Sequence, residues 1–582
     1  MKRRTINIIA LVSFCFLGLF CTGCDLTLTP EDSITPEAYF KTESDLQLWT
    51  NQFYTLLDEA DVAVGQNADD IVDRNFQDVI AGTRSAATES GWSWGQLRAI
   101  NYYLQHSKNC TDENVRKQYD GVAYFFRAYF YFVKVRRYGD VPWYDQVLGS
   151  KDDELLKKAR DDRGFVMDKV MADFDQAIEL LSQTKNASRV TKWTALAFKS
   201  RAALYEGTYR KYHGMQDGDN YLQQAAIAAN QFITTSGYTL YNEGSEPYRD
   251  LFCNDVAKST EVVLARIYNF PTLNIPNNIQ FNILNDRQGF THRFMNHYLM
   301  ADGSRFTDKT GYQTMLYTDE VKLRDSRMAQ TVLCPGYIQK GSISATRNML
   351  LSSTGYQPVK YVATLDQNGS GKGTSDFPLM RAAEVYLTYA EAKAELATLT
   401  QSDLDLSVNK IRTRAKMPVL SMATANANPD NFLKTCYPNV TLSDNTGVIL
   451  EIRRERTIEL VMEGIRQWDM FRWKEGTQMV NSPNPYYGCY IPGVGLYDMD
   501  GDGANDLEIY AAAPASSLAT RLLIGTDIVL SNGTSGYIIA FPTIVCTWTE
   551  NRDYLWPIPA DQRVLTGGVL TQNPGWTDST NF

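Results

Sequence analysis

The sequence predicts a mainly α fold, a helical-repeat scaffold that carries long irregular loops and a few short strands. Three observations point there. Residues 122–135 read VAYFFRAYFYFVKV, apolar nearly all round, as a buried helix is and a surface helix is not. Leu46, Trp49, Phe53 and Leu56 recur at helical spacing behind the capping residues Thr42 and Ser44. Between about 240 and 376, in contrast, Gly, Asn, Pro and Ser punctuate short apolar runs such as EVVLARIYN.

The elements follow in order. The helix around 113–138 stops at Tyr138-Gly139-Asp140-Val141-Pro142. Helices at about 165–183, 191–212 and 221–236 come next, the last ending before Gly237. Ala195, Ala202, Ala225 and Ala229 sit where two helices cross closely. Such Ala-lined antiparallel pairs resemble tetratricopeptide repeats, although no strict 34-residue period is visible. A plain helical bundle is the other reading. After the loop-rich stretch, helices resume at 378–398, about 401–415 and 449–475. Residues 481–553 read as irregular and rich in Gly, Pro and Tyr.

The start of the chain differs in kind. Lys2, Arg3 and Arg4 precede an apolar run from Ile6 to Phe20. That run is shorter than the roughly 20 residues needed to span a bilayer, and it reads as a secretory signal peptide. It closes as Cys21-Thr22-Gly23-Cys24, which resembles a bacterial lipobox with Cys24 as the acylated residue. Cys21 stands where Leu is commonest. The alternatives are a signal peptide cut elsewhere or an N-terminal membrane anchor. The domain division is then a signal peptide at 1–23, a lipidated tether at 24–35, an N-terminal helical region at 36–240 and a C-terminal region at 241–582.

Composition excludes several classes. The chain has 582 residues, 44% hydrophobic and 21% charged, enough for an ample core. A net charge of −10 without a long basic run argues against nucleic acid as the main partner. Four His are few for a large metalloenzyme, and the six cysteines after Cys24 (Cys110, Cys253, Cys334, Cys436, Cys489, Cys546) contain no CxxC pair, which argues against zinc. No GxSxG, HExxH or phosphate-loop pattern is present. The 34 Tyr, 25 Phe and 10 Trp are abundant enough to form binding surfaces as well as core.

Five stretches carry a family resemblance. They are RAYFYFVKVRRYGDVPW (127–143), FPLMRAAEVYLTYAEAKAEL (377–396), VNKIRTRAKMP (408–418), ILEIRRERTIELVMEGIRQWDMFRW (449–473) and YLWPIPADQRVLTGGVLTQNPGW (554–576). In this order and spacing the chain resembles the SusD/RagB family of outer-membrane lipoproteins from Bacteroidetes-type bacteria. The resemblance implies a cell-surface binder that captures oligosaccharide for import through a SusC-like TonB-dependent outer-membrane transporter, and no catalysis. It also makes sense of a lipidated Cys24. Some members of that family look peptide-specific, so a peptide ligand is the first rival, a surface glycosidase the second, and a structural lipoprotein without ligand the third.

The residues of these blocks read as structural. Glu451, Glu455, Glu459 and Glu463 repeat every four residues beside Arg453, Arg454, Arg456, Arg466 and Arg472, as an ion-paired face that docks the helix. Arg381 with Glu384 and Glu391, and Arg412 with Arg414, belong to the same network. Pro557, Pro559 and the turn 572–576 lay the C-terminus over the helices.

Two kinds of site remain. In DMDGDGANDLEIY (498–510), Asp498, Asp500 and Asp502 occupy alternate positions before Gly503, with Asp506 at the ninth. That is a DxDxDGxxD loop suited to structural Ca²⁺, although Ile509 stands where an EF-hand has Glu; Glu508 or a distant residue would complete the shell. An acidic turn without metal is the alternative. Sugar rings stack on flat apolar faces, so Trp92 and Trp94 in ESGWSWGQL and Tyr486, Tyr487 and Tyr490 in NPNPYYGCY are the ligand-binding candidates, with Trp548 behind them.

Overall fold

The computed structural model describes residues 39–58, 68–73, 77–342, 352–440, 443–480 and 486–577. The signal peptide, Cys24 and the tether to 35 lie outside the described residues.

The main helices, numbered in chain order, are α1 (Glu43–Asn51), α2 (Gly95–His106), α3 (Glu113–Tyr138), α4 (Arg163–Leu180), α5 (Lys192–Tyr212), α6 (Gly218–Thr235), α7 (Ala382–Glu395), α8 (Gln401–Leu406), α9 (Val408–Arg414), α10 (Thr446–Glu459) and α11 (Arg466–Arg472). Thr42 caps α1 and Asp112 caps α3, each side chain accepting backbone N–H bonds of the first turn. Gly139, at φ +75°, ends α3, a conformation a side chain would strain.

Each long helix packs on the next: α3 on α4, α4 on α5, α5 on α6, α6 on α7 and α7 on α10. This serial stacking is the repeat-like scaffold expected. Ala195, Ala202, Ala225 and Ala229 are fully buried at the crossings. Gly207 and Gly218 also belong there: a Cβ on Gly207 would come within 2.9 Å of the Gly218 carbonyl oxygen. The C-terminal segment does fold back on α3. Trp556 N–H donates to Arg137 O (2.8 Å), and the Asn573 amide donates to Tyr138 O (2.9 Å).

Among the described residues nine short strands complete the structure: β1 (Ile71–Val72), β2 (Val262–Arg266), β3 (Gly289–Phe290), β4 (Phe377–Arg381), β5 (Tyr487–Ile491), β6 (Gly495–Tyr497), β7 (Leu507–Tyr510), β8 (Thr520–Leu523) and β9 (Gly536–Ile539). Pairs β1–β3, β2–β4, β5–β9 and β6–β7 are antiparallel, and β7–β8 is parallel. Two cores result. The larger joins the stacked helices to Tyr554, Trp556 and Leu570, and the smaller joins residues from 241 to 377 to β5, β7 and β9.

Three sequence expectations are corrected. Residues 377–381 are strand β4 rather than the start of a helix, because β2 pairs with them. The expected helix at 401–415 is broken at Ser407. The expected helix at 449–475 breaks after Glu459, and Met462 (φ 60°) and Gly464 (φ +74°) turn the chain into α11. Donors from elsewhere hold that break: the Tyr248 hydroxyl on Glu459 O (2.8 Å), Lys360 Nζ on Val461 O (2.7 Å) and the Tyr361 hydroxyl on Met462 O (3.1 Å). These satisfy carbonyls that a longer helix would have paired internally. Residues 481–553, read as irregular, hold five of the strands, each of three to five residues and too short to show a period.

All 14 residues of α10 are buried, six of them charged. Buried charges persist only when paired. Glu451 pairs with Arg412 and Arg454, and Glu455 with Arg327 and Arg412. Glu459 meets Arg327, Arg381 and Arg414, and Glu463 meets Arg381 and Lys360. Arg381, Glu391, Arg412 and Arg414 join this network as expected, and Glu384 does not. Glu384 takes Arg201 and Glu391 takes Arg472, while Arg381 reaches Glu261 (2.8 Å).

This network makes acid the expected denaturant. Burial alone would raise the carboxyls of Glu451, Glu459 and Glu463, but their arginines outweigh it and hold them below the usual range. Their stabilisation is present above about pH 4.3 and is lost as pH falls. Burial pushes His213, His292 and His297 down to about 3, so they stay neutral when folded and gain a proton only on unfolding. Their contribution also declines below about pH 6.5. Glu475, pushed up to about 8 by burial, and Asp70 and Asp376, pushed up to about 6 by burial, work in the opposite sense as pH rises from about 4. These opposing contributions largely offset one another between about pH 6.5 and 4.3, so the urea midpoint should fall most steeply below about pH 4.3; a midpoint unchanged there would contradict the sum.

Candidate functional site: a tyrosine platform

Tyr487 and Tyr490 are three residues apart on β5, so a regular strand would point them to opposite faces. A register shift between them, where β5 pairs with β9, brings both rings against Tyr537. Tyr487 stacks on Tyr537 (centroids 5.1 Å apart, planes 13°), and Tyr490 meets its edge (5.8 Å, 77°). All three rings are half-buried. Gly488 is required between them, because a Cβ there would lie 2.2 Å from the Thr354 carbonyl oxygen.

Polar groups support this platform. The Tyr537 hydroxyl donates to Gln313 O (2.6 Å), and burial pushes that phenol up to about 12, so it stays protonated. The imidazole of His292 lies 4.7 Å from the Tyr537 ring. The Tyr356 hydroxyl donates to Glu320 Oε2 (2.7 Å), so its oxygen is free to accept from His292 Nδ1 (3.1 Å). In the neutral ring Nε2 then carries the lone pair. Half-exposed aromatic faces beside oriented polar groups suit a hydroxyl-rich ligand with a flat apolar side. Tyr537 and His292 were not singled out from the sequence. The turn Asn532-Gly533 ahead of Gly536–Ile539 is the signal that would have marked a hairpin strand there.

The other aromatic candidates separate. Tyr486 is a correction: it is 4% exposed, its hydroxyl donates to Met479 O (2.6 Å), and it presents no face to a ligand. Trp92 is 7% exposed and packs edge-on against Tyr138 (4.9 Å) and Trp94 (5.4 Å). Trp94 is half-buried at the start of α2 and lines a groove of about 340 Å³ with Tyr144, Arg98 and Lys158. No ring contact among the described residues joins this groove to the platform. Trp548 packs on Phe471 and Tyr554.

In the loop between β6 and β7, carboxylate oxygens of Asp498, Asp500 and Asp506 lie within 4.8 Å of one another. Asp502 stands outside that group, its carboxylate accepting from the Ala504 N–H (2.7 Å). Glu508 does not complete the shell, since Ala515 N–H, Ser516 N–H and the Ser516 hydroxyl occupy its oxygens. Cys110, Cys253, Cys436 and Cys546 carry no disulfide.

Comparison with known proteins decides the family. The SusD family model matches residues 285–576, half of the chain and the part that includes α10, α11 and the platform. The chain belongs to the SusD family. A second SusD-like model, described as starch-binding and associating with the outer membrane, matches residues 96–204. A SusD-like protein of Formosa agariphila is 25% identical over 523 residues, covering 81% of this chain and 93% of its own. A second SusD-like protein of that organism is 23% identical, covering 97% and 99%. The fold is similar to that of a SusD-like protein of Bacteroides fragilis (TM-score 0.69, 22% identity, 94% of this chain and 100% of the other). It is also similar to a laminarin-binding SusD-like protein (TM-score 0.57, 15% identity, 92% and 100%). The mainly helical SusD fold is thus the one the sequence predicts. Among the described residues no helix is long and apolar enough to cross a membrane.

Proposed function

We propose that this SusD-family protein captures oligosaccharide at the surface of the outer membrane, tethered through a lipid on Cys24, and passes it to a SusC-like TonB-dependent transporter. It acts as a binder and not as an enzyme. The observation that carries the reading is the platform of Tyr487, Tyr490 and Tyr537. The family descriptions, which name starch binding and outer-membrane association, and the laminarin-binding neighbour support it. A lipid tether raises the local ligand concentration at the transporter mouth.

The test is retardation of the protein lacking residues 1–24 in gels containing single glycans, followed by calorimetry. Trp94→Ala is expected to cost about 2 kcal/mol of stability from lost burial while leaving glycan affinity within about threefold. A large affinity loss there would move the ligand to the Trp94 groove. Binding of peptides with no glycan retained would favour the peptide rival, and release of products from polysaccharide the glycosidase. Import unaffected by loss of the transporter would remove the partner.

The Asp498, Asp500 and Asp506 cluster supports a second, structural role. In this reading a Ca²⁺ ion held there pins the β6–β7 loop, with water or backbone oxygens filling the shell. Calcium at a hundredfold excess over its dissociation constant should stabilise the fold by about 2.7 kcal/mol, and Asp500→Asn should abolish that gain. No calcium-dependent shift in Tm would reduce the loop to an acidic turn.

A further inference from the structure

A second cleft, of about 340 Å³, opens where residues 77–90, the end of α3, the start of α11 and Trp556 meet. Its distinguishing feature is a pair of guanidinium groups on one indole. Arg84 Cζ lies 4.7 Å from the Trp556 ring centroid and Arg137 Cζ 5.0 Å from it. Arg84 is 9% exposed. Its Nη2 serves Asp553, donating to the backbone oxygen at 2.8 Å and lying 3.2 Å from Oδ1. Nε and Nη1 of Arg84 are buried with no hydrogen-bond partner.

Arg137 is similarly incomplete. Its Nη2 is held by both oxygens of Glu89 (2.8 and 2.9 Å), and its Nε has no partner. Glu89 cannot serve further donors easily, since it already accepts from the Tyr138 hydroxyl (2.6 Å) and Gly91 N–H (2.7 Å). Buried guanidinium donors left unpaired cost more than neutral ones, so such an arrangement persists where something else pairs them. Burial also pushes Arg84 down to about 10, in keeping with a cation short of counter-charge. Ser85, Thr88 and Ser90 line the same cleft beside the acidic Asp78 and Glu89, the Ser85 and Thr88 hydroxyls bonded to each other (2.9 Å).

We propose that this cleft is a binding site for a carboxylate or sulfate group, held by Arg84 and Arg137 and ringed by those hydroxyls. A carboxylate or a sulfate can present two oxygens to the guanidinium fork, and charge-assisted bonds are the strong ones. The shared chemistry has two sources, the acid group of a sugar or a free inorganic anion. The proposal goes beyond the tyrosine platform and stands whether or not the platform binds a neutral glycan.

Calorimetric titration with sodium glucuronate, sodium sulfate and glucose, at constant ionic strength held by chloride, tests it. Glucuronate is expected to bind and glucose to produce no heat. Binding of sulfate as tightly as glucuronate would assign the site to free anions; weaker binding of sulfate would assign it to acidic sugars. Arg137→Gln, on the more exposed of the two arginines, should weaken the interaction about tenfold or more. Arg84→Lys keeps the charge opposite Asp553 and loses the fork, and should weaken it as well. No binding of either anion, or binding unchanged in Arg137→Gln with its fold intact by circular dichroism, would overturn the proposal.

Discussion

Replacing Glu459 with Gln should destabilise the protein by about 3–5 kcal/mol, the cost of breaking a buried ion pair from one side. The carboxylate is fully buried and receives Arg381 at 2.6 Å, Arg327 at 3.0 Å and Arg414. Gln keeps the shape and one acceptor oxygen but removes the charge that offsets three guanidiniums. Part of the loss is softened, because Arg381 retains Glu261 and Glu463, and Arg327 retains Asp325 and Glu455. The expectation therefore sits nearer the lower figure. Urea denaturation near neutral pH measures it. A loss below about 1 kcal/mol would mean that the arginines redistribute among their remaining carboxylates, and that no single pair governs α10.

Replacing Tyr537 with Ala should lower glycan affinity tenfold to a hundredfold, about 1.4–2.8 kcal/mol, as loss of a central aromatic anchor does at binding surfaces. Tyr537 is the ring both neighbours touch, so its removal takes away one face and the support of two others. Tyr537→Phe keeps the stack and loses only the bond to Gln313 O, and should stay within about threefold. Wild-type affinity in the Ala variant would place the ligand elsewhere. Comparable loss in both variants would show that the hydroxyl, not the face, does the recognition.

The helical scaffold was legible because its signals are local. An apolar run such as 122–135 and the cap Thr42 act within a few residues of themselves. The family was legible from five blocks whose charges turn out to be internal wiring. The site was legible only in part. Tyr487 and Tyr490 stand out beside Gly and Pro, but what assembles them is Tyr537, some fifty residues later, and a strand irregularity that no short-range pattern announces. Tyr486 shows the same limit from the other side. It differs from Tyr487 only in facing inward, and nothing in NPNPYYGCY states which neighbour is the buried one. The break after Glu459 escaped notice because its causes, Tyr248, Lys360 and Tyr361, lie a hundred residues or more away in the chain.

The wiring of α10 has a consequence for the order in which the protein assembles. Glu459 leaves water only when arginines from three separate stretches of chain, at 327, 381 and 414, have all arrived. Until then the helix gains more from hydration than from packing, and a half-assembled chain keeps a charged, wet seam where a purely apolar helix would present a sticky face. For a chain of this size, such a seam works as a late lock. It withholds the last and largest desolvation until every distant part is in place, and it discourages partial folds from associating with one another on the way.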